Sequence, residues 1–281
     1  MNYELFTIFA RVMSYSLNIR GRLLDLETPC VMGILNVTPD SFYAASRTET
    51  EATIVQRAHA IVEQGAAIID MGACSTRPGS SPVSEEEETA RLQMALRVVR
   101  HELPDAVVSV DTFRPVVARM AVEEYGAAII NDVSPSQEMF RMVARLGVPY
   151  ILMSTQSDMR SMLLTFAQQV QQLRDLGQKD IVLDPGFGFG KTLEDNYAVM
   201  HDLEQLQLLG LPVLVGMSRK SMIFKLLGTT PETALNGTTV LNTIALERGA
   251  KILRVHDVRE AVECVRIWEQ VKQNREPLNR K

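Results

Sequence analysis

Apolar residues along this chain gather into short runs, and most of the runs stop at a polar or turn residue. Val31–Leu35 ends at Asn36, Val107–Val110 at Asp111, Ala127–Ile130 at Asn131 and Ile181–Leu183 at Asp184. Ile68–Ile69 leads into Asp70 and a polar loop, Val213–Val215 ends in Gly216, and Tyr150–Met153 and Ile252–Val255 complete the set. Compact apolar runs of this kind are expected of strands buried on both faces. Between them apolar positions recur at helical spacing: Ile54, Ala58, Ile61 and Val62; then Leu92, Leu96 and Val99; finally Ala261, Val265, Trp268 and Val271. Ser84 with Glu87, Thr192 with Asp195, and Asp257 with Glu260 predict helix caps, and Pro115 a helix start. Ahead of the first run, residues 16–26 alternate around Gly21, which predicts a hairpin. Eight runs alternating with helices predict one α/β domain, a (β/α)8 TIM barrel whose floor the N-terminal β-hairpin closes. No Pro/Ser-rich linker divides the chain, so the barrel is assigned to residues 13–276, with 1–12 as an N-terminal extension and 277–281 as a tail.

The stretch Ile181–Thr192, I-V-L-D-P-G-F-G-F-G-K-T, carries the densest local signal. A buried strand delivers Asp184, Pro185 ends the ladder, and Gly186, Gly188 and Gly190 let the backbone wrap closely around a neighbour. A strand–turn–helix junction in which Asp184 bonds loop amides is one reading. A ligand site at the mouth of a parallel sheet is the other. The spacing fits neither a Walker A loop, which would need glycine at Pro185, nor a G-x-G-x-x-G dinucleotide fingerprint.

Composition narrows the classes. Hydrophobic residues at 46% and charged residues at 22% are ordinary for a globular protein, and a net charge of -5 argues against a nucleic-acid surface. No apolar run has the length of a membrane span, and the segment Leu5–Ala10 lacks the features of a signal peptide. Three cysteines without C-x-x-C spacing suit a reducing cytoplasm and no structural zinc, and the four histidines are unpaired.

In a barrel, strand ends converge on one rim, so Asn36, Asp111, Asn131, Asp184, Arg254 and His256 are expected to meet there. Any one of them could merely cap the next helix. Together, two carboxylates and two amides suit a flat, nitrogen-rich heterocycle, and the cationic pair suits phosphate. Three loops extend the rim: N-V-T-P-D-S-F (Asn36–Phe42), S-T-R-P-G (Ser75–Gly79) with Arg77, and M-S-R-K-S (Met217–Ser221), where Lys220 stands at a predicted helix N-terminus. Met139 and Met142 are expected to fill the core.

Taken in order, these motifs, with S-V-D-T (Ser109–Thr112), I-N-D-V-S (Ile130–Ser134), L-D-P-G-F-G-F-G-K (Leu183–Lys191) and R-V-H-D-V (Arg254–Val258), resemble the dihydropteroate synthase family of folate biosynthesis. The resemblance covers about residues 16–271. It implies a transferase that condenses 6-hydroxymethyl-7,8-dihydropterin diphosphate with p-aminobenzoate, giving 7,8-dihydropteroate and diphosphate, with Mg2+ and by an SN1-like route. It implies a pterin site of Asp111, Asn131, Met153, Asp184, Phe189 and Lys220. A diphosphate site of Asn36, Arg254 and His256 follows, with Asn36 also the metal ligand. The p-aminobenzoate pocket, which sulfonamides occupy in this family, would comprise Phe42, Thr76, Arg77, Pro78 and Ser221. Asp111, Lys220, Arg254, His256 and Arg77 are the expected catalytic groups. A cytoplasmic homodimer acting on small molecules, without nucleic acid or membrane, is expected.

Several rim positions depart from the family pattern. Ala44 stands where a loop aspartate is usual, Cys74 where glutamate is common, Pro135 where glycine is frequent, and L-M-S-T-Q-S replaces a histidine-bearing segment. A pterin-dependent methyltransferase, a catalytically silent pterin-binding paralogue and a Schiff-base aldolase using Lys220 are the competing readings.

Overall fold

A computed structural model describes residues 15–37, 47–74 and 83–274. The hairpin forms as expected, with β1 (Ser16–Ile19) antiparallel to β2 (Arg22–Asp25). Arg20 and Gly21 both adopt positive φ, 53° and 87°, which is the backbone twist a two-residue hairpin turn demands. Along β1 the exposed Ser16 and Asn18 alternate with buried Leu17 and Ile19. Leu17, Ile19 and Leu26 pack under the barrel against Met32, Ile68, Ile129, Ile151, Val182, Leu214 and Ile252, the lower inward layer of its strands. The hairpin is therefore the floor.

The barrel strands are β3 (Cys30–Asn36), β4 (Ile68–Gly72), β5 (Val108–Asp111), β6 (Ile129–Asp132), β7 (Tyr150–Met153), β8 (Ile181–Asp184), β9 (Leu214–Val215) and β10 (Ile252–Val255). They pair in parallel in the order β8-β7-β6-β5-β4-β3-β10-β9, and a bridge from Leu183 to Val213 joins the two ends into a ring. The helices are α1 (Arg47–Glu63), α2 (Glu85–Glu102), α3 (Pro115–Glu123), α4 (Gln137–Leu146), α5 (Met159–Asp175), α6 (Leu193–His201), α7 (Ser221–Leu227), α8 (Leu235–Glu247) and α9 (Val258–Gln273). Between them and the barrel lies the larger apolar layer, which includes Met139, while Met142 is only partly buried. None of the described helices is long and apolar enough to cross a membrane.

The structure corrects the sequence reading in four places. β4 runs on through Asp70 to Gly72, so Asp70 belongs to the barrel wall and is fully buried. Val62 and Val271, expected on buried faces, are 40% and 49% exposed. Ser84 caps α2, but the Glu87 carboxylate meets Arg91 instead of completing a capping box. Asp257 makes no side-chain cap for α9, because Arg219 takes its carboxylate. The Thr192–Asp195 capping box forms in full at α6.

Candidate active site

The strand ends converge as the barrel requires. Arg254, inside β10, forks between two carboxylates: its Nε donates to Asp70 Oδ2 at 2.6 Å and its Nη2 to Asp111 Oδ2 at 2.8 Å. Asn131, buried in β6, donates from Nδ2 to the same Asp70 oxygen at 3.1 Å. Asp70 Oδ1 and Asn131 Oδ1 are buried acceptors without a hydrogen-bond partner among the described residues. Such acceptors suit a ligand that brings N–H donors.

Asp184 sits across this cluster and accepts the Gly186 amide at 2.8 Å. Lys220 donates to the Phe187 carbonyl at 2.5 Å, and its Nζ lies 4.6 Å from the centre of the Phe189 ring. Gly188 makes room for that lysine, since a Cβ there would stand 3.1 Å from Lys220 Cδ. Met153 is buried at the end of β7.

Crowding of like and unlike charges away from water shifts these groups. Burial pushes the Asp111 carboxyl up to about 7, outweighing the opposing pull of Arg254. Burial likewise raises Asp184 against the pull of Lys220, and lowers Lys220 to about 8 against the pull of Asp184. Burial would lower Arg254, but the charges of Asp70 and Asp111 prevail and raise it. The site thus holds a permanent cation, a carboxyl and an ammonium poised near neutrality.

Beside the cup a cavity of about 420 Å³ opens between the ends of β3 and β10, lined by Asn36, His256, Arg57, Arg219 and Asp257 among others. Asn36 is exposed there. His256 Nδ1 lies 3.0 Å from Ser218 Oγ, which also accepts the His256 amide at 3.1 Å. Arg57 on α1 donates to the His256 carbonyl at 2.7 Å and to Ile34 at 3.2 Å, tying the two strand ends together. Arg219, left-handed at φ 57°, pairs with Asp257 at 2.7 and 2.9 Å and donates to the carbonyls of Pro231 and Glu232. Ser221 begins α7 next to Lys220. A second cavity, of about 400 Å³ and lined in part by Arg20, Arg22 and Arg100, lies by the floor hairpin and far from this chemistry.

Of the expected site residues, Asn36, Asp111, Asn131, Met153, Asp184, Phe189, Lys220, Ser221, Arg254 and His256 stand on the one rim. Phe42, Thr76, Arg77 and Pro78, like Ala44 and the termini 1–12 and 277–281, lie outside the described residues. Sequence reasoning did not assign Asp70, Arg57, Arg219 or Asp257 to the site, taking Asp70 only as the end of a run and Asp257 only as a helix cap. Asp70 carried a readable signal, an acid after two isoleucines, whereas the arginines acquire partners only across the fold. Cys74 lies 3.6 Å from Arg114, whose charge meets the fully buried Glu88. Burial, with Glu88 nearby, pushes the Cys74 thiol up to about 12, so it stays protonated near neutrality.

A family described as "Pterin binding enzyme" matches residues 32–256. The dihydropteroate synthase of Escherichia coli K12 is 39% identical over 267 residues, spanning 89% of this chain and 94% of that protein. That of Bacillus subtilis 168 is 37% identical over 254 residues, 86% of this chain and 88% of the other. Among solved structures, Vibrio fischeri 7,8-dihydropteroate synthase superposes with a TM-score of 0.85 at 35% identity, covering 92% of this chain and 98% of that one. The Xanthomonas albilineans dihydropteroate synthase with 4-aminobenzoic acid gives 0.82 at 37% identity, with the same two coverages of 92% and 98%.

Proposed function

The chain belongs to the dihydropteroate synthase family of pterin-binding barrels, which are alkyl transferases, and on that premise we propose how its rim works. It joins 6-hydroxymethyl-7,8-dihydropterin diphosphate to p-aminobenzoate, and the bond to diphosphate breaks before the bond to the amine is complete. The observation that carries this reading is the Arg254 fork, a half-buried guanidinium held between Asp70 and Asp111 beside two unsatisfied acceptors.

In this reading the ring edge lies against Asp184 and Asn131, which offer acceptors to its N–H groups, with Met153 and Phe189 on its faces and Lys220 opposite Asp184. Arg254 and His256 face the diphosphate. As the C–O bond breaks, its electron pair leaves with the diphosphate, and Arg254 stabilises the growing negative charge. The positive charge left on the dihydropterin is spread over its ring and favoured by the Asp111 carboxylate. The amine nitrogen then supplies the pair for the new C–N bond and loses a proton to water or to the released diphosphate. Phe42, Thr76, Arg77, Pro78 and Ser221 would bound the amine, with the α7 N-terminus near its carboxylate.

Mg2+ fits this site only as a companion of the diphosphate. No cluster of three His, Cys, Asp or Glu able to hold an ion occurs among the described residues, and Asn36 offers one neutral amide oxygen. Magnesium commonly keeps several waters and takes its remaining ligands from substrate phosphates, which suits a single protein ligand. When bound it would neutralise diphosphate charge.

A homodimer accords with the α8–α9 face, where Val240, Ile244, Ile267 and Val271 are 50%, 36%, 67% and 49% exposed. A cytoplasmic enzyme accords with its three free cysteines. The deciding experiment mixes purified protein with pterin diphosphate, p-aminobenzoate and Mg2+ and follows both diphosphate and dihydropteroate. Absence of dihydropteroate overturns the reaction. In single turnovers with substituted anilines, a chemical step that accelerates in proportion to amine concentration and basicity overturns the SN1-like order.

A further inference from the structure

We propose that Lys191 is a positioning residue for pterin, whose ammonium pins two neighbouring strand-end loops together and so sets the walls of the ring site. The inference rests on the synthase reading of that site. Lys191 Nζ donates to three backbone carbonyls: Gly186 at 3.1 Å, Ser154 at 3.2 Å and Phe189 at 3.3 Å. An ammonium has three protons, so each has an acceptor. Ser154 follows Met153 after β7, while Gly186 and Phe189 belong to the loop after β8. One side chain thus holds the backbone next to Met153 and the backbone of Phe189 itself.

The loop needs such a pin. Gly186, Gly188 and Gly190 sit at φ 65°, 81° and 62°, a run of left-handed turns that glycine permits but does not rigidify. Gly186 also lies so close to the adjoining loop that a Cβ there would stand 2.2 Å from the Ser154 carbonyl. Other ties exist: those from Gly186 to Asp184 and from Gly188 to Asn196 at 2.7 Å act within the β8–α6 segment, and the Ser154 amide donates to the Asp184 carbonyl at 2.9 Å, which joins the strand ends but not the glycine loop beyond them. Lys191 crosses to the neighbouring strand. No carboxylate pairs with it within ion-pair distance among the described residues, and burial lowers its pKa to about 8 against the pull of Asp184 and Asp195. A half-buried ammonium satisfied by carbonyls alone is a tie built for the backbone.

The test is a set of variants read by steady-state kinetics and by calorimetric binding of pterin diphosphate. K191M should raise the KM and Kd for pterin diphosphate about tenfold, with kcat and the KM for p-aminobenzoate within about threefold of wild type. K191C alkylated with 2-bromoethylamine regains an ammonium at nearly the lysine position and should recover pterin affinity. K191C alkylated with iodoacetamide, which adds a neutral group of similar bulk, should not. Wild-type protein treated identically controls for Cys30, Cys74 and Cys264. If K191M fails to fold, the two alkylated forms of K191C, made on folded protein, still decide. Equal recovery by both reagents, or a pterin Kd in K191M within about twofold of wild type, overturns the proposal. Wild-type protein that makes no dihydropteroate overturns the synthase reading instead, and pterin affinity across the same variants then still tests the pin.

Discussion

Asp70→Asn tests the arrangement of the site most directly, because it changes one charge and almost no volume. Asp70 is fully buried, and its Oδ2 accepts from Arg254 Nε at 2.6 Å and from Asn131 Nδ2 at 3.1 Å. Hydrogen bonds involving charged groups contribute about 1.5–3 kcal/mol, and removing one partner of a buried ion pair costs about 3–5 kcal/mol. Arg254 would keep Asp111 at 2.8 Å, so the loss is partial, about 2–4 kcal/mol. For a barrel of this size about 2–4 °C of melting temperature accompanies each kcal/mol, so Tm should fall by about 5–15 °C. The same change frees Arg254 to swing toward Asp111, so the KM for pterin diphosphate should rise by about tenfold or more. Thermal unfolding followed by circular dichroism, together with steady-state kinetics on the folded variant, reads both effects. A variant melting within about 2 °C of wild type with unchanged KM would refute the claim that Asp70 holds Arg254 in place.

Three further outcomes follow from the same geometry. The pH profile of kcat/KM should be a narrow bell, its acid limb near the raised Asp111 value of about 7 and its alkaline limb near the lowered Lys220 value of about 8, as macroscopic values of a coupled cluster. Because the folded Asp111 keeps its proton up to about 7 while the unfolded chain loses it near 3.8, this group's contribution to stability is full below 3.8 and lost as pH rises through 7. Asp111→Asn should flatten that slope in pH-dependent denaturant titrations and remove the acid limb. Asp184→Asn should weaken pterin binding by about 1–3 kcal/mol in calorimetry, since an amide cannot replace the acceptor charge facing Lys220. Asp257→Asn leaves the left-handed Arg219 without its bidentate partner in the cavity shared with Asn36 and His256, so the KM for pterin diphosphate should rise more than that for p-aminobenzoate.

How much of this could be read along the chain differs from residue to residue. The barrel was legible because a strand buried on both faces must be continuously apolar, and Tyr150–Met153 and Ile252–Val255 form strands with the bounds their sequences suggest. The rim acids were legible because Asp111 and Asp184 interrupt such runs, where a barrel gathers its chemistry. Val62 and Val271 misled, because helical periodicity marks a face without saying how wide the buried stripe is or whether a neighbour covers its edge. Asp257 misled because the capping pattern is local, and Arg219, 38 positions earlier, takes that carboxylate in the fold.

The order of hydrophobic and polar residues alone therefore determined the eight-fold alternation, the floor hairpin and the identity of most rim residues. Tertiary structure decided the partnerships: Arg254 between Asp70 and Asp111, Arg57 between the ends of β3 and β10, and Lys191 across two loops. The reason is physical. Local preference and periodicity act over a few residues, while an ion pair or a shared carbonyl depends on which distant strands the closed ring places side by side, and on how little water remains between them.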